Sequence, residues 1–417
     1  RQRQMCIRDR NKEVVVIICP DVLKKPHFYD AIKERNYEIA VIADKYEGNK
    51  ADYVLNIDYK NLDIVVSELV KFREHHKIAM IFSVSEFGIE VAAATAEILG
   101  IPYGSSFAAV KRARNKYLTR QFLRDKNVAT PNFGIAKNLE ELKNIAVNIG
   151  FPVIVKPLNG AGACSVIQLN SKTEIEEKAA AMIANRSKMP VNDYRIDTTE
   201  EYWIVEEYLD GVEISVECCT FEGETSVIAI HDKYCDVCEP YFIEKTFVTP
   251  SPRFTDRQIA EIEQMAKDVL TAIEYDYGIA HVEMKVTEKG PRLLEVNARV
   301  GGGLNMESVL CSTGINILEV LLDIRRGIKP NINITHRKNV AFTMIPVVEG
   351  TVKKILGFED AMEVEHVSMA QPYLEVGEVV KARQANYGGF ILAKDDEMPI
   401  LLDALKVAEQ KVDFEIG

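Results

Sequence analysis

No run of apolar residues in this chain approaches the ~20 that a membrane-spanning helix requires, so no bilayer partner is expected. A basic excess is missing as well: 51 Lys and Arg stand against 63 Asp and Glu, a net charge of −12. A field of that sign disfavours nucleic acid as a partner, although a local basic patch can still hold one polyphosphate. The Walker A pattern Gly-x4-Gly-Lys-Ser/Thr does not occur. The first strand-to-helix turn, Cys19-Pro20-Asp21-Val22-Leu23-Lys24-Lys25-Pro26, has no glycine, which argues against a dinucleotide site there. The eight cysteines are scattered rather than framed as a disulfide scaffold, so a reducing, cytoplasmic setting is expected. Repeats and low-complexity tracts are also missing. Residues 1–11 show neither periodicity nor an apolar h-region and are read as a non-structural leader.

What is present describes a folded multidomain chain. Its 417 residues exceed one ordinary domain, and 47% hydrophobic with 27% charged residues can build sizeable cores. Short β-branched runs at 14–18, 39–43, 53–57 and 78–82 alternate with helical stretches, the pattern of a doubly wound α/β unit. A boundary falls near 100–106, so the first domain is 12–105. A basic helix is expected over 110–126, carrying Lys111, Arg112, Arg114, Lys116, Arg120 and Arg124; a solvated face explains such a run about as well as a ligand does. Mixed strands and helices then run to Pro330, defining a second unit over 106–330. Residues 331–417 read as a small α/β subdomain or lid, with dimerisation as one role open to it.

The chemistry concentrates in three segments. Residues 280–286 and 292–299 alternate with period two around a Glu288-Lys289-Gly290 turn, which makes a β-hairpin. His281, Glu283 and Lys285 share one face, as do Glu295, Asn297 and Arg299. With Lys289 central, Glu283 falls opposite Glu295 and His281 opposite Asn297. Directly opposed carboxylates repel, and a divalent cation between them reverses the sign. Mg²⁺ takes oxygen from one or two carboxylates plus substrate phosphates, and Asn297 offers a third oxygen. A hairpin with its charges in water is the plain alternative. It loses ground because Gly301-Gly302-Gly303 follows, then a helix beginning near Asn305, which together favour a close-lying anion.

In the second segment Lys156 ends a buried strand and leads into Gly160-Ala161-Gly162-Ala163, suited to phosphates through charge and backbone N–H groups. The third, residues 203–217, joins two strands through Glu206-Glu207-Tyr208-Leu209. Main-chain groups there can read an adenine edge and Glu213 can hold ribose hydroxyls, while an ordinary strand pair is the bland alternative.

In this order the segments resemble the ATP-grasp superfamily over about residues 12–330. The resemblance rests on Lys116, Val-Lys-Pro at 155–157, Glu-Glu-Tyr-Leu-x-Gly-x-Glu at 206–213, Glu283, and Glu-Val-Asn-Ala-Arg at 295–299. It implies a Rossmann-like N-terminal domain and ATP held between two α+β subdomains. Lys116 and Lys156 match the phosphate-binding lysines, and Gly162 and Ala163 fall on the phosphate-covering loop. Glu206, Glu207, Tyr208 and Leu209 match the adenine connection, with Glu213 at the ribose and His281 in the nucleotide site. Glu283, Glu295 and Asn297 match the ligands of Mg²⁺, which Mn²⁺ can replace. Arg299 matches the arginine that steadies an acyl phosphate.

Within the superfamily the chain looks most like bacterial L-amino acid ligases, through residues 230–233 and 242–251. Glu244 matches an acidic residue facing the substrate amine, with Glu239 as a second candidate and Gly301 and Gly302 on the substrate side. A histidine of that group, expected three residues after Glu244, is Phe247 here. The implied activity is an ATP-dependent ligation of small-molecule carboxylate and amine substrates, catalysed by Arg299, Lys156 and Glu244. A biotin carboxylase or purine-pathway ligase is the first alternative, although no biotinyl Met-Lys-Met motif occurs. A non-catalytic ATP-binding regulator is the second. Zinc at Cys235 and Cys238 is disfavoured, because Cys218-Cys219 lacks the usual ligand spacing.

Overall fold

The computed structural model describes residues 12–19, 26–46, 48–160, 165–182, 202–234, 245–381 and 386–417. Its first unit is a parallel sheet ordered β3-β2-β1-β4, from β1 (Glu13–Ile18), β2 (Glu38–Ala43), β3 (Tyr53–Asn56) and β4 (Lys77–Phe82). Helices α1 (Pro26–Glu34) and α2 (Leu62–Phe72) connect strands, and α3 (Ile89–Leu99) follows β4. Strands β1 and β2 are apolar at successive residues because both faces are covered. Val15, Ile17, Val41 and Phe82 pack to one side, and Val14, Val16, Ile18 and Ile42 to the other. Helix α3 stops at Gly100, whose φ of +68° suits a residue without a side chain.

The single basic helix expected over 110–126 is two helices, α4 (Phe107–Arg114) and α5 (Lys116–Asp125). Asn115 divides them: its backbone is extended, and its side chain accepts from the Leu118 N–H as the N-cap of α5.

A small antiparallel sheet follows, ordered β5-β8-β6-β7, from β5 (Phe133–Ala136), β6 (Val153–Pro157), β7 (Ile167–Leu169) and β8 (Trp203–Glu207). Helix α6 (Leu139–Ile149) closes its core through Leu142 and Ala146. The central sheet begins with β9 (Val212–Phe221), β10 (Glu224–Tyr234), β11 (Thr246–Thr249), β12 (Gly278–Thr287) and β13 (Gly290–Asn297). Three strands of the 331–417 segment continue it, β14 (Asn339–Pro346), β16 (Val367–Pro372) and β18 (Tyr387–Asp395). The order is β13-β12-β9-β10-β11-β14-β18-β16, so the sheet runs unbroken past residue 330. Phe247 and Phe342 stack across the β11–β14 join with centroids 4.7 Å apart. The segment's remaining strands, β15 (Gly350–Leu356), β17 (Val379–Val380) and β19 (Asp413–Ile416), form a separate sheet.

The two faces of the central sheet differ, as period two requires. Ile214, Val216, Val282, Met284 and Leu293 pack under the helix Asp256–Ala272. The opposite face carries Glu213, Ser215, Glu217, His231, Lys233, His281, Glu283, Glu295 and Asn297, and the small sheet lies over it. Among the described residues no helix is long and apolar enough to cross a membrane.

Candidate active site

The hairpin β12–β13 has the expected pairing where it matters: His281 opposes Asn297 and Glu283 opposes Glu295. It reaches that pairing by another route. Thr287 pairs with Gly290, leaving Glu288 and Lys289 as a two-residue turn, and Met284 pairs with Leu293. Leu294 is therefore an extra residue in β13, a bulge that restores the parity of Glu295 and Asn297. Its carbonyl, freed from regular pairing, accepts from Arg120 at 2.8 Å and from Lys156 Nζ at 3.5 Å.

Three elements converge cations on this hairpin. Lys116 opens α5 and is buried, a position where the helix dipole disfavours positive charge, so the side chain is held by its partners. Its Nζ lies 3.2 Å from Glu295 Oε1 and 3.4 Å from the Gly160 carbonyl. Lys156, at the end of β6, lies 2.7 Å from Glu206 Oε2, and Arg120 Nε lies 2.7 Å from Glu206 Oε1. Burial pulls the Lys156 ammonium below its ordinary range against the attraction of Glu206. Burial also opposes ionisation of Glu206, yet Arg120 and Lys156 hold its carboxyl at about 2. Glu206 thus keeps two cations in place on the face of β8 that meets the hairpin.

The Glu207 N–H donates to Asn132 O at 2.8 Å and the Tyr208 N–H to Pro152 O at 3.2 Å. Two of the main-chain donors expected to meet a base are therefore already engaged. Leu209 is buried beside them.

Lys233 of β10 is the fourth cation, with 1% of its side chain exposed, 2.9 Å from Glu213 Oε1 and 2.6 Å from Glu283 Oε2. Burial disfavours the charged form of Glu283, but Lys233 and His281 together bring its carboxyl well below the usual range. Asn297 donates to Glu283 Oε1 at 3.5 Å. His281 is committed on both ring nitrogens, to Glu217 through Nδ1 at 2.5 Å and toward Glu283 through Nε2 at 3.5 Å. Burial works against the imidazolium, and Glu217 overrides it, raising His281 to about 9.

Arg299 leaves the hairpin toward the first domain. Its Nε donates to Glu86 Oε2 at 2.8 Å, and its other nitrogens donate to the Val300 carbonyl and Asn297 Oδ1. Glu86 is buried in the β4–α3 connection and also meets Arg114 at 3.3 Å. At Gly301 any Cβ would collide with Glu217 Oε1, whereas one at Gly302 would meet nothing within 4 Å. Phe247, in the place of the expected histidine, is packed in the apolar core of the sheet. Gly162, Ala163, Cys235, Cys238, Glu239 and Glu244 lie outside the described residues.

Sequence reasoning missed Arg120, Lys233, Glu86 and Glu217. Two carried a signal: Arg120 is four residues after Lys116 on one helical face, and Lys233 follows His231 by two on one strand face. Glu86 offered only its place at the carboxyl end of a parallel strand, where open α/β sheets take ligands.

Glu283 and Glu295 are each about a quarter exposed, at 23% and 24%, on the same sheet face. With Asn297 they form a hard, all-oxygen donor set that suits Mg²⁺. Among the described residues no group of three or more His, Cys, Asp and Glu is placed to hold a metal ion by itself.

Residues 149–308 match the ATP-grasp domain family. Alanine–anticapsin ligase of Bacillus subtilis (strain 168) is 27% identical over 310 residues, covering 69% of this chain and 64% of that protein. The L-arginine-specific L-amino acid ligase of Bacillus subtilis is 22% identical over 408 residues, covering 94% and 96%. Among solved structures, the L-amino acid ligase from Bacillus licheniformis superposes with a TM-score of 0.82 at 20% identity, covering 97% and 99% of the two chains. At that identity the likeness shows the fold.

Proposed function

This chain carries an ATP-grasp domain, and from that premise we propose that it is an ATP-dependent carboxylate–amine ligase acting on amino acids. A substrate carboxylate takes the terminal phosphoryl group of ATP, giving an acyl phosphate and ADP. An amine then attacks the acyl carbon and inorganic phosphate leaves. The observation that carries the reading is one sheet face where the opposed carboxylates Glu283 and Glu295 are met by Lys116 and Lys233, with Lys156 beside them.

Phosphoryl transfer asks a protein for positioning and charge neutralisation more than for a nucleophile. Lys116 and Lys156 approach from the small sheet's side and would hold phosphate oxygens, while Arg120 and Glu206 keep Lys156 aimed. Glu283, Glu295 and Asn297 would hold Mg²⁺, which would supply positive charge to offset that of the phosphates. Arg299 would steady the acyl phosphate, its guanidinium oriented by Glu86. Glu213 would hold the ribose. Glu244, with Glu239 in second place, would orient the incoming amine, and Gly162 and Ala163 would cover the phosphates against water.

The relatives named for amino acid ligation favour amino acids on both sides of the bond. The test incubates the protein with ATP, Mg²⁺ and paired amino acids, measuring phosphate release and the mass of a condensed product. A product lighter by one water than the summed pair is expected. Phosphate release stimulated only by bicarbonate would overturn the amino acid reading.

A further inference from the structure

We infer that Glu217 is a positioning residue of this site, acting through His281 on Glu283 and through Gly301 on the turn that follows Arg299. The inference rests on the nucleotide-and-metal reading proposed above and adds a residue which that reading does not use.

Glu217 lies on β9 with 0% of its side chain exposed. A buried carboxylate persists only when charge and hydrogen bonds compensate it. Here His281 Nδ1 stands 2.5 Å from Oε1 and the Gly301 N–H donates to the carboxylate. Burial opposes the charge of Glu217, and His281 brings its carboxyl below the usual value. Its other oxygen, Oε2, is buried without a hydrogen-bond partner, a costly arrangement for a group whose only task is stability.

The ladder shows what that cost supports. Glu217, His281 and Asn297 lie abreast on β9, β12 and β13, and Ser215, Glu283 and Glu295 form the next row. The first row is buried, and in the second Glu283 and Glu295 are partly exposed while Ser215 is buried. His281 links the rows, since its Nε2 is 3.5 Å from Glu283 Oε1. Glu217 therefore fixes which way the imidazole points, as a carboxylate behind a histidine does when it orients a group at a metal. Its second contact is with the main chain after the hairpin. Gly301 packs so closely on Glu217 and His281 that it has no room for a Cβ, which ties the backbone two residues after Arg299 to the same carboxylate.

The experiment compares wild type with Glu217→Gln, His281→Asn and the double variant, reading Mn²⁺ uptake in the presence of ADP by electron paramagnetic resonance. ATP binding in excess EDTA is read separately by calorimetry. Glu217→Gln is expected to weaken Mn²⁺ uptake about 10-fold or more, with metal-free ATP binding changed less than about 2-fold. In Mn²⁺ uptake the double variant should be no worse than His281→Asn, because toward the metal Glu217 acts only through His281. Additive losses, or equal losses with and without metal, would overturn the inference. If Glu217→Gln does not fold, Glu217→Asp keeps the charge and shortens its reach, and the same metal-selective loss is expected in milder form. A wild-type protein that takes up neither ATP nor Mn²⁺ with ADP would sink the ligase reading itself and this inference with it.

Discussion

Lys233 Nζ stands 2.6 Å from Glu283 Oε2, and the same ammonium reaches Glu213 at 2.9 Å. One buried cation therefore couples the carboxylate proposed for the ribose to a carboxylate proposed for the metal.

Lys233→Met is expected to lower the ligation rate about 100-fold, the scale seen when one preorganised charge is removed from a reacting centre. Lys233→Arg should recover part of the loss. Phosphate release at saturating ATP measures both, with melting temperatures to establish that the variants fold. A Lys233→Met protein at full rate would reduce this lysine to a structural ion pair.

Glu295→Gln should abolish ADP formation and leave the fold intact, because the residue is partly exposed and its partner Lys116 keeps the Gly160 carbonyl. ADP production by coupled assay and a thermal melt are the measurements. Full turnover in this variant contradicts the metal assignment.

Arg299→Ala should lose condensed product far more than ATP affinity. The guanidinium lies on the side of the hairpin that faces Glu86 and the first domain. Glu86→Gln should act in the same direction with a smaller effect, since it loosens Arg299 without removing it. Equal losses of product and ATP binding in Arg299→Ala would make the arginine a nucleotide contact.

Acid should destabilise the fold in two successive windows. Burial brings His231 down to about 4 from an ordinary 6.5, so below pH 6.5 the unfolded chain takes up a proton that the native state refuses. Stability is full above pH 6.5 and declines toward pH 4. Glu206 is buried, and its cations hold it at about 2 against an ordinary 4.5, so its contribution is present above pH 4.5 and fades toward pH 2. Each group accounts for roughly 3 kcal/mol. Urea titrations across this range should show the decline, and His231→Asn should flatten its upper part. A stability that stays level through the upper window would remove His231 from this account.

Asn115→Ala should cost about 1 kcal/mol through the lost cap on the Leu118 N–H. It should also raise the KM for ATP, because the break at Asn115 is what turns Lys116 toward Glu295. A lower melting temperature with unchanged KM would separate the cap from the site.

Local patterning carried much of this protein into view. Alternation of period two around 280–299 placed His281 and Glu283 on one face and Glu295 and Asn297 on another shared face, but the pairing of Glu283 with Glu295 also needs the bulge at Leu294. The continuous β-branched runs announced strands covered on both faces. The bulge at Leu294 was hidden, since Leu293 and Leu294 are both apolar and neither marks which of them leaves the ladder. The break at Asn115 was hidden as well: periodicity runs through it, and only the backbone reveals the extended residue.

The sequence by itself determined most of the strands and helices, the existence of the hairpin, and the residue types able to handle phosphate. Tertiary structure decided which of the many charges matter. Arg120 and Lys156 come from different elements to meet on Glu206, Glu86 reaches Arg299 from 213 positions away, and Glu217 acts behind His281 from a neighbouring strand. Burial makes these pairings consequential, because a charge withdrawn from water must find its partner nearby. Nearness between distant stretches of chain is set by how the sheets stack, which no single stretch encodes.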